Sequence, residues 1–198
     1  MALGLNDSGY FIPSRTVLYT APVDTVAPDS SILDSPGAAW TILGHVGDES
    51  AKGNVSFTRD GGDVTVKGSI TKKAIRQIVD PVTTGFDVDV TQWTRGVLAL
   101  YTGTNGGSGP TSFQVEGVSD GLTTQTAALV VWEDGTNRVG LYAPKVGWSG
   151  RDNIDTDSIE DAVVIPLHAG FLDSNTVTGP TGKPLRYSWL SPTLLLGS

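Results

Sequence analysis

Apolar and polar side chains alternate with a period of two in two neighbouring stretches of the chain, residues 55–59 and residues 64–70. This alternation is typical of β-strands that bury one face and expose the other. Between them, residues 60–63 have the sequence Asp-Gly-Gly-Asp, in which both glycines can take positive φ without strain. The pattern therefore predicts a β-hairpin that turns at these glycines.

A different spacing, typical of an α-helix, covers residues 91–102. Its apolar face consists of Trp93, Val97, Leu100 and Tyr101. Thr91 is suited to cap the N-terminus of this helix, and Asp87 and Asp89 precede it. Gly103 is suited to end it. We therefore predict one helix at about 91–102.

Five further stretches have strand-like patterns: Thr111–Val118, Thr126–Glu133, Arg138–Ala143, Ala162–His168 and Leu185–Leu190. Asp134-Gly135, which lies between the second and the third of them, predicts a hairpin. The chain is also rich in Gly, Thr, Ser and Val and poor in Lys and Glu, as β proteins are. Together these signals predict a mostly β fold with a single helix.

We divide the chain into an extended N-terminal arm (1–39), a single β-domain (40–190) and a C-terminal tail (191–198). The arm contains four prolines, and only residues 16–20 look strand-like. Prolines at this density argue against a central strand, so we expect an arm that lies over the surface. A disordered tail is the alternative, although the apolar residues between Tyr10 and Tyr19 favour docking.

The net charge of the chain argues against a conventional DNA-binding protein. Its 21 acidic and 13 basic residues give a formal net charge of −8, whereas a protein that neutralises DNA phosphates carries the opposite sign. The acidity could also serve solubility alone. The low share of charged residues, 17%, is typical either of a surface that neighbouring subunits cover or of a glycine-rich β-domain. The sequence has no cysteine, signal peptide or membrane-spanning run, so we expect assembly in a cytoplasm.

No catalytic constellation is evident, so we expect neither an enzyme nor a cofactor. His45 has Asp48 and Glu49 nearby, but three metal ligands within five residues are geometrically awkward. His45 is therefore interpreted as a structural loop residue. Residues 153–158 lack the Gly of a calcium loop, and residues 147–150 miss the spacing of a nucleophile elbow by one residue.

Several short motifs, taken in order, carry a family resemblance. The first motif is Trp-Thr-x-x-Gly-His at 40–45, which a polar loop and a predicted strand follow. The next three motifs are a turn, Gly-Gly-Asp at 61–63, and two basic motifs, Lys-Gly at 67–68 and Lys-Lys-x-x-Arg at 72–76. This series resembles the major tail tube protein of long, non-contractile-tailed phages of the siphovirus type, especially those of actinobacterial hosts. The likeness is strongest over residues 40–103 and extends to about residue 190.

The resemblance implies a β-sandwich or barrel with one flanking helix, in hexameric rings that stack into the tail tube of the virion. DNA would pass through an acidic lumen without specific binding, and the loop at 44–54 would reach towards the adjacent ring. It further implies self-assembly and, as partners, a tape measure protein, tail-tip proteins and a tail terminator protein. We expect no membrane among the partners.

Three groups of residues are candidates for roles in such an assembly. A basic cluster could contact a neighbouring subunit or form a solvated edge: Lys72, Lys73 and Arg76. An apolar end needs cover from a partner subunit or from its own domain: Leu194, Leu195 and Leu196. An acidic run could line the lumen or lie on the outer surface: Asp152, Asp155, Asp157, Glu160 and Asp161.

A second class of function is a monomeric β-sandwich domain of a virion that binds carbohydrate or a host surface. Its stacking surfaces would be Trp40, Trp132, Trp148 and Trp189. Quenching of exposed tryptophans by sugars would favour this alternative, whereas rings or tubes would favour the tail tube.

Overall fold

A computed structural model of the chain describes residues 11–46, 55–67, 76–103, 111–115, 124–154 and 163–191. These residues form ten strands and one α-helix, which are numbered in chain order. The elements are β1 (Arg15–Ala21), β2 (Thr41–Val46), β3 (Val55–Asp60), β4 (Val64–Lys67), β5 (Arg76–Val79), β6 (Thr83–Val90), α1 (Arg95–Thr102), β7 (Thr124–Asp134), β8 (Asn137–Gly150), β9 (Ile165–Phe171) and β10 (Ser188–Leu190). The predicted mostly β fold with one helix is confirmed.

The strands form an antiparallel sheet in the order β2-β1-β7-β8-β9-β6-β3. The hairpin of β7 and β8 around Gly135 is its spine, as Asp134-Gly135 predicted. The long strand β8 pairs with β9 along its second half and with β10 near its middle. A register shift between Thr126 and Ala128 interrupts the pairing of β7 and β8, and such a bulge bends and twists the strand that carries it.

The centre of the sheet is buried on both faces, so its strands read as nearly continuous apolar runs. Alternate residues point into two separate cores. The first core contains Leu18, Val130, Leu141, Val146, Trp148, Phe86 and Leu167. The second core contains Val17, Leu129, Val131, Tyr142, Trp40 and Leu33, with Leu185 and Leu190 packed against it. Segments outside the sheet therefore cover the second core, as expected for layered β structure.

Helix α1 packs against β8, β9 and β2 and buries Val97 and Leu100 in the first core. It ends at Gly103 in the left-handed conformation, as predicted, but it begins later than predicted. The cap is Thr94 rather than Thr91, because the Thr94 hydroxyl accepts a hydrogen bond from the Val97 amide at 3.3 Å. In the part of the chain that the structure describes, no helix is long and apolar enough to cross a membrane.

The expectation of a surface arm is wrong for residues 15–21. They form β1, which pairs with β2 on one side and with β7 on the other. The prolines did not exclude this strand because Pro13 and Pro22 flank it, so neither removes one of its ladder hydrogen bonds. The proposed division into arm, domain and tail otherwise stays a prediction.

The predicted hairpin between residues 55–59 and 64–70 is also wrong. β3 pairs with β6, and β4 pairs with β5 in a separate two-stranded sheet. The two pairs share one register, since Asp60 lies opposite Thr83 and Val64 lies opposite Val79. The Gly-Gly sequence therefore interrupts one strand of a longer antiparallel ribbon and does not reverse the chain.

Two smaller expectations also fail. Residues 111–115 are not in a strand, although they begin the predicted strand Thr111–Val118. His45 lies within β2 and not in a loop. Residues 147–150, which miss the spacing of a nucleophile elbow, are the end of β8. Asp48, Glu49 and residues 155–158 lie outside the described residues.

Candidate interaction surfaces

The outer face of β3, β6, β9 and the second half of β8 carries polar residues and glycines. These residues alternate with side chains of the first core, and the strand register places them in two rows that cross the sheet. One row contains Ser56, Asp87, His168 and Ser149, and the other contains Thr58, Gly85, Gly170 and Gly147. We call this surface the polar face. It is wide and, because of its glycines, has few protruding side chains.

Two carboxylates of the polar face, both on β6, pair with basic side chains, one on β9 and one just after β8. Asp87 accepts a hydrogen bond from Nδ1 of His168 at 2.6 Å, because an ionised carboxylate can only accept. Asp89 pairs with the Arg151 guanidinium at 2.8 Å. The charge of the Asp89 pair is therefore balanced, and that of the Asp87 pair is balanced when His168 is protonated.

Glycine is required beside His168. A Cβ atom on Gly85 would lie 2.5 Å from the Ala169 carbonyl oxygen and 3.1 Å from Cε1 of His168. The first distance is too short for a real contact and the second is tight, so a larger residue would displace the neighbouring strand and crowd the imidazole.

A cleft of about 410 Å³ lies next to His168 at the β3 end of the polar face. Its polar lining is Thr58, Asp60, Thr83, Thr84 and His168. Among the described residues, no group of three or more His, Asp, Glu or Cys side chains could hold a metal ion. The cleft thus presents hydroxyl groups and one carboxylate without a metal-binding arrangement.

The ribbon of β4 and β5 exposes aliphatic side chains. Val64, Val66, Ile78 and Val79 are between 39% and 57% exposed. Because Val64 lies opposite Val79 and Val66 follows two residues later, these three valines share one side of the ribbon. We call this surface the valine face. Thr65 and Ile78, which lie opposite each other, are on the other side.

The tryptophans do not form a common stacking surface. Trp148 is completely buried and donates a hydrogen bond to the Thr126 hydroxyl at 2.7 Å, and Trp40 belongs to the second core. Trp132 and Trp189 stack on each other with ring centroids 5.8 Å apart. Of the four candidates for sugar binding, only Trp189 is strongly exposed, at 44%.

Of the residues that the sequence suggested for subunit contacts or for an acidic surface, only Asp152 and Arg76 lie within the described ranges. Asp152 directly follows Arg151 at the end of β8 and is exposed, and its carbonyl oxygen accepts a hydrogen bond from the Tyr101 hydroxyl at 2.8 Å. Arg76 begins β5, so it belongs to the ribbon. The other candidates lie outside the described ranges: Lys72, Lys73, Asp155, Asp157, Glu160, Asp161, Leu194, Leu195 and Leu196.

The polar face itself was missed by the sequence reasoning. Asp87 and Asp89 were interpreted as residues that precede a helix, although they alternate with Phe86, Val88 and Val90. This period-two pattern was the available signal for a half-buried strand. The partners His168 and Arg151 could not be identified, because their pairing depends on strand order.

Comparisons with known proteins agree with this architecture. A family model described as phage tail tube protein matches residues 3–195. The chain is 31% identical over 202 residues to the major tail protein Gp23 of Mycobacterium phage L5, an alignment that covers 96% of this chain and 94% of that protein. It is 32% identical, with the same coverage, to the major tail protein Gp23 of Mycobacterium phage D29. The resemblance to tail tube proteins of phages with actinobacterial hosts is thus confirmed, and the chain belongs to the phage tail tube protein family as a structural, non-enzymatic component of the virion tail.

Proposed function

We propose that copies of this chain form hexameric rings that stack into a tube, and that DNA passes through the lumen of this tube. The observation that carries the proposal is the polar face. It spans four strands, it has glycines in one of its rows, and it lies opposite the first core. Such a surface suits the wall of a channel, because few side chains project into the path of DNA.

The lumen wall is proposed to be acidic. Its net negative charge comes from carboxylates outside the balanced pair of Asp89 and Arg151, beginning with Asp60 at the β3 end. The acidic run that starts at Asp152 adds to it, since Arg151, the residue before, pairs with the polar face. The other members of this run are Asp155, Asp157, Glu160 and Asp161. A wall of this charge repels the DNA backbone and lets it slide.

Neighbouring subunits are proposed to meet at the open ends of the sheet and at the basic and apolar candidates. Among the strands that the structure describes, β2 and β3 are the two edges of the sheet, and unpaired edges are ready to bond to another chain. The residues of the contact are Lys72, Lys73 and Arg76, which pair with acidic surface, and Leu194, Leu195 and Leu196, which the neighbour covers. Contacts of this heterologous kind close into rings or continue as filaments. Tape measure, tail-tip and tail terminator proteins are proposed as the other partners.

Negative-stain electron microscopy of the purified protein, alone and with tail-tip extract, tests the proposal. We expect hollow tubes in side view and six-fold rings in end view in at least one sample. Uniform small particles in both samples would contradict the proposal.

A further inference from the structure

The ribbon of β4 and β5 has no cover within the part of the subunit that the structure describes. Its two strands pair only with each other, and the three valines of the valine face are each more than half exposed. A two-stranded ribbon is marginally stable in water unless a third strand or another packed element supports it. Clustered exposed aliphatic side chains are, in addition, typical of contact surfaces.

The register shows that the ribbon extends away from the sheet. β4 continues β3 and β5 continues into β6, with the same pairing register on both sides of the interruption. At the interruption, Gly61 and Gly62 have φ values of +84° and +81°, and the Asp80 amide donates to the Asp63 carbonyl oxygen at 3.0 Å. The ribbon is therefore joined firmly to the β3–β6 pair while its side chains stay outside both cores.

We propose that the valine face docks on a second copy of this chain. Val64, Val66 and Val79 form the apolar contact. The inference rests on the proposed assembly into a tube and adds the surface by which one subunit holds another.

Charge identifies a second copy as the occupant. β4 and β5 contain two basic residues, Lys67 and Arg76, and no acidic residue, whereas the whole chain has 13 basic and 21 acidic residues. The ribbon and the remainder of the chain thus have opposite net charge, so the ribbon of one copy is attracted to the body of another. Membership of a family whose members form tails supplies an abundant second copy.

The first test compares two adjacent positions of β4. The chain has no cysteine, so Val66→Cys and Thr65→Cys each introduce the single thiol of their variant. Both thiols are exposed in the free subunit and should react with a maleimide. In assembled tubes we expect the thiol of Val66→Cys to be protected at least ten-fold more than the thiol of Thr65→Cys. Equal labelling of both positions in tubes would overturn the assignment to the valine face.

The second test measures tube formation instead of thiol labelling. The double variant Val64→Thr/Val66→Thr keeps the shape and strand preference of valine but adds two hydroxyl groups. We expect it to raise the protein concentration needed for tube formation at least ten-fold, with an unchanged far-UV circular dichroism spectrum. The matched control Val26→Thr/Val115→Thr changes two other exposed valines and should assemble like the parent. Equal assembly of the two double variants would overturn the proposal.

The outcomes separate this inference from the proposed function. If the parent chain forms no tubes under any nucleating condition, the proposed function fails. If tubes form and the valine face remains as reactive as in the free subunit, only the ribbon inference fails. A third outcome is that tail-tip extract protects the thiol of Val66→Cys while the subunits remain unassembled. In that case the valine face binds a different protein, and the inference is overturned.

Discussion

Tyr142 joins an N-terminal segment to the centre of the sheet. Its ring is completely buried in the second core, with its centroid 6.1 Å from that of Trp40 in an edge-to-face arrangement. Its hydroxyl donates a hydrogen bond to the Thr25 carbonyl oxygen at 2.6 Å. Burial raises the pKa of Tyr142, and the negative charge of Asp24 raises it further. The native fold therefore keeps this phenol protonated.

This raised pKa predicts a loss of stability in alkaline solution. The unfolded chain releases the phenol proton near pH 10 while the folded chain retains it, so stability falls as the pH rises above about 10. We expect a flat free energy of unfolding between about pH 7 and 9, and then a fall of up to about 1.4 kcal/mol per pH unit from Tyr142. Tyr142→Phe should lower stability by about 1 kcal/mol at neutral pH, through the lost hydrogen bond, and flatten the alkaline fall.

Urea denaturation at a series of pH values measures both effects. Burial also raises the pKa of Tyr19, so Tyr142→Phe should keep part of the slope and the double variant with Tyr19→Phe should keep less. An alkaline slope that is the same in Tyr142→Phe and in the parent would contradict this account.

At the scale of the element, helix α1 shows what a local pattern determines. Its existence, its buried residues Val97 and Leu100 and its end at Gly103 were predictable from spacing and residue type. The prediction of Trp93 for its apolar face is wrong, because Trp93 precedes the helix and is 53% exposed. The start of the helix was not predictable, because Thr91 and Thr94 are equally good caps by sequence. A tertiary contact accompanies the later start, since the Trp93 indole nitrogen donates to the Val163 carbonyl oxygen at 3.3 Å.

Two single variants discriminate between the two caps. Thr94→Ala should lower the free energy of unfolding by about 1 kcal/mol, because the Val97 amide loses its acceptor. Thr91→Ala should change it by less than about 0.5 kcal/mol, as is usual away from such features. Chemical denaturation of both variants measures these changes. A larger loss of unfolding free energy in Thr91→Ala than in Thr94→Ala would show that Thr91 is the cap, as the sequence predicted.

The ribbon shows where local pattern fails. Asp-Gly-Gly-Asp is a typical turn sequence, but strand pairing decides whether a turn forms there. The partners of residues 55–67 lie at 76–88, beyond the reach of a local reading. The glycines serve close approach instead, since a Cβ atom on Gly61 would lie 2.2 Å from the Pro81 carbonyl oxygen.

Gly61→Ala should therefore detach the ribbon. The positive φ of +84° and the clash with Pro81 both oppose a side chain at this position. We expect the protection of the β4 and β5 amides against hydrogen exchange to fall at least about ten-fold, while the amides of the core strands keep their protection. The control Gly182→Ala has a φ of +75° with open space around it, and should leave β4 and β5 unchanged. Unaltered protection in Gly61→Ala would contradict the close approach.

At the scale of the whole molecule, the fold class was predictable and the assembly of its surfaces was not. Strand-like apolar runs and the Asp-Gly turn predicted β7, the first half of β8 and their hairpin, because both signals lie in adjacent residues of the sequence. The polar face depends on the order β8-β9-β6-β3, which places Asp87 beside His168 although 81 residues separate them. No local pattern contains that information. The valine face was not predicted either, because the apolar side of β4 was interpreted as a face that packs on a core.

We propose that this chain builds a tube whose lumen is lined by the polar face, and a cryo-electron microscopy reconstruction of assembled tubes would show this directly. We predict six subunits per ring, with β3, β6, β9 and the second half of β8 facing the lumen and Asp87 and His168 on the inner wall. A reconstruction in which the polar face points outward, or in which α1 lines the lumen, would contradict the claim.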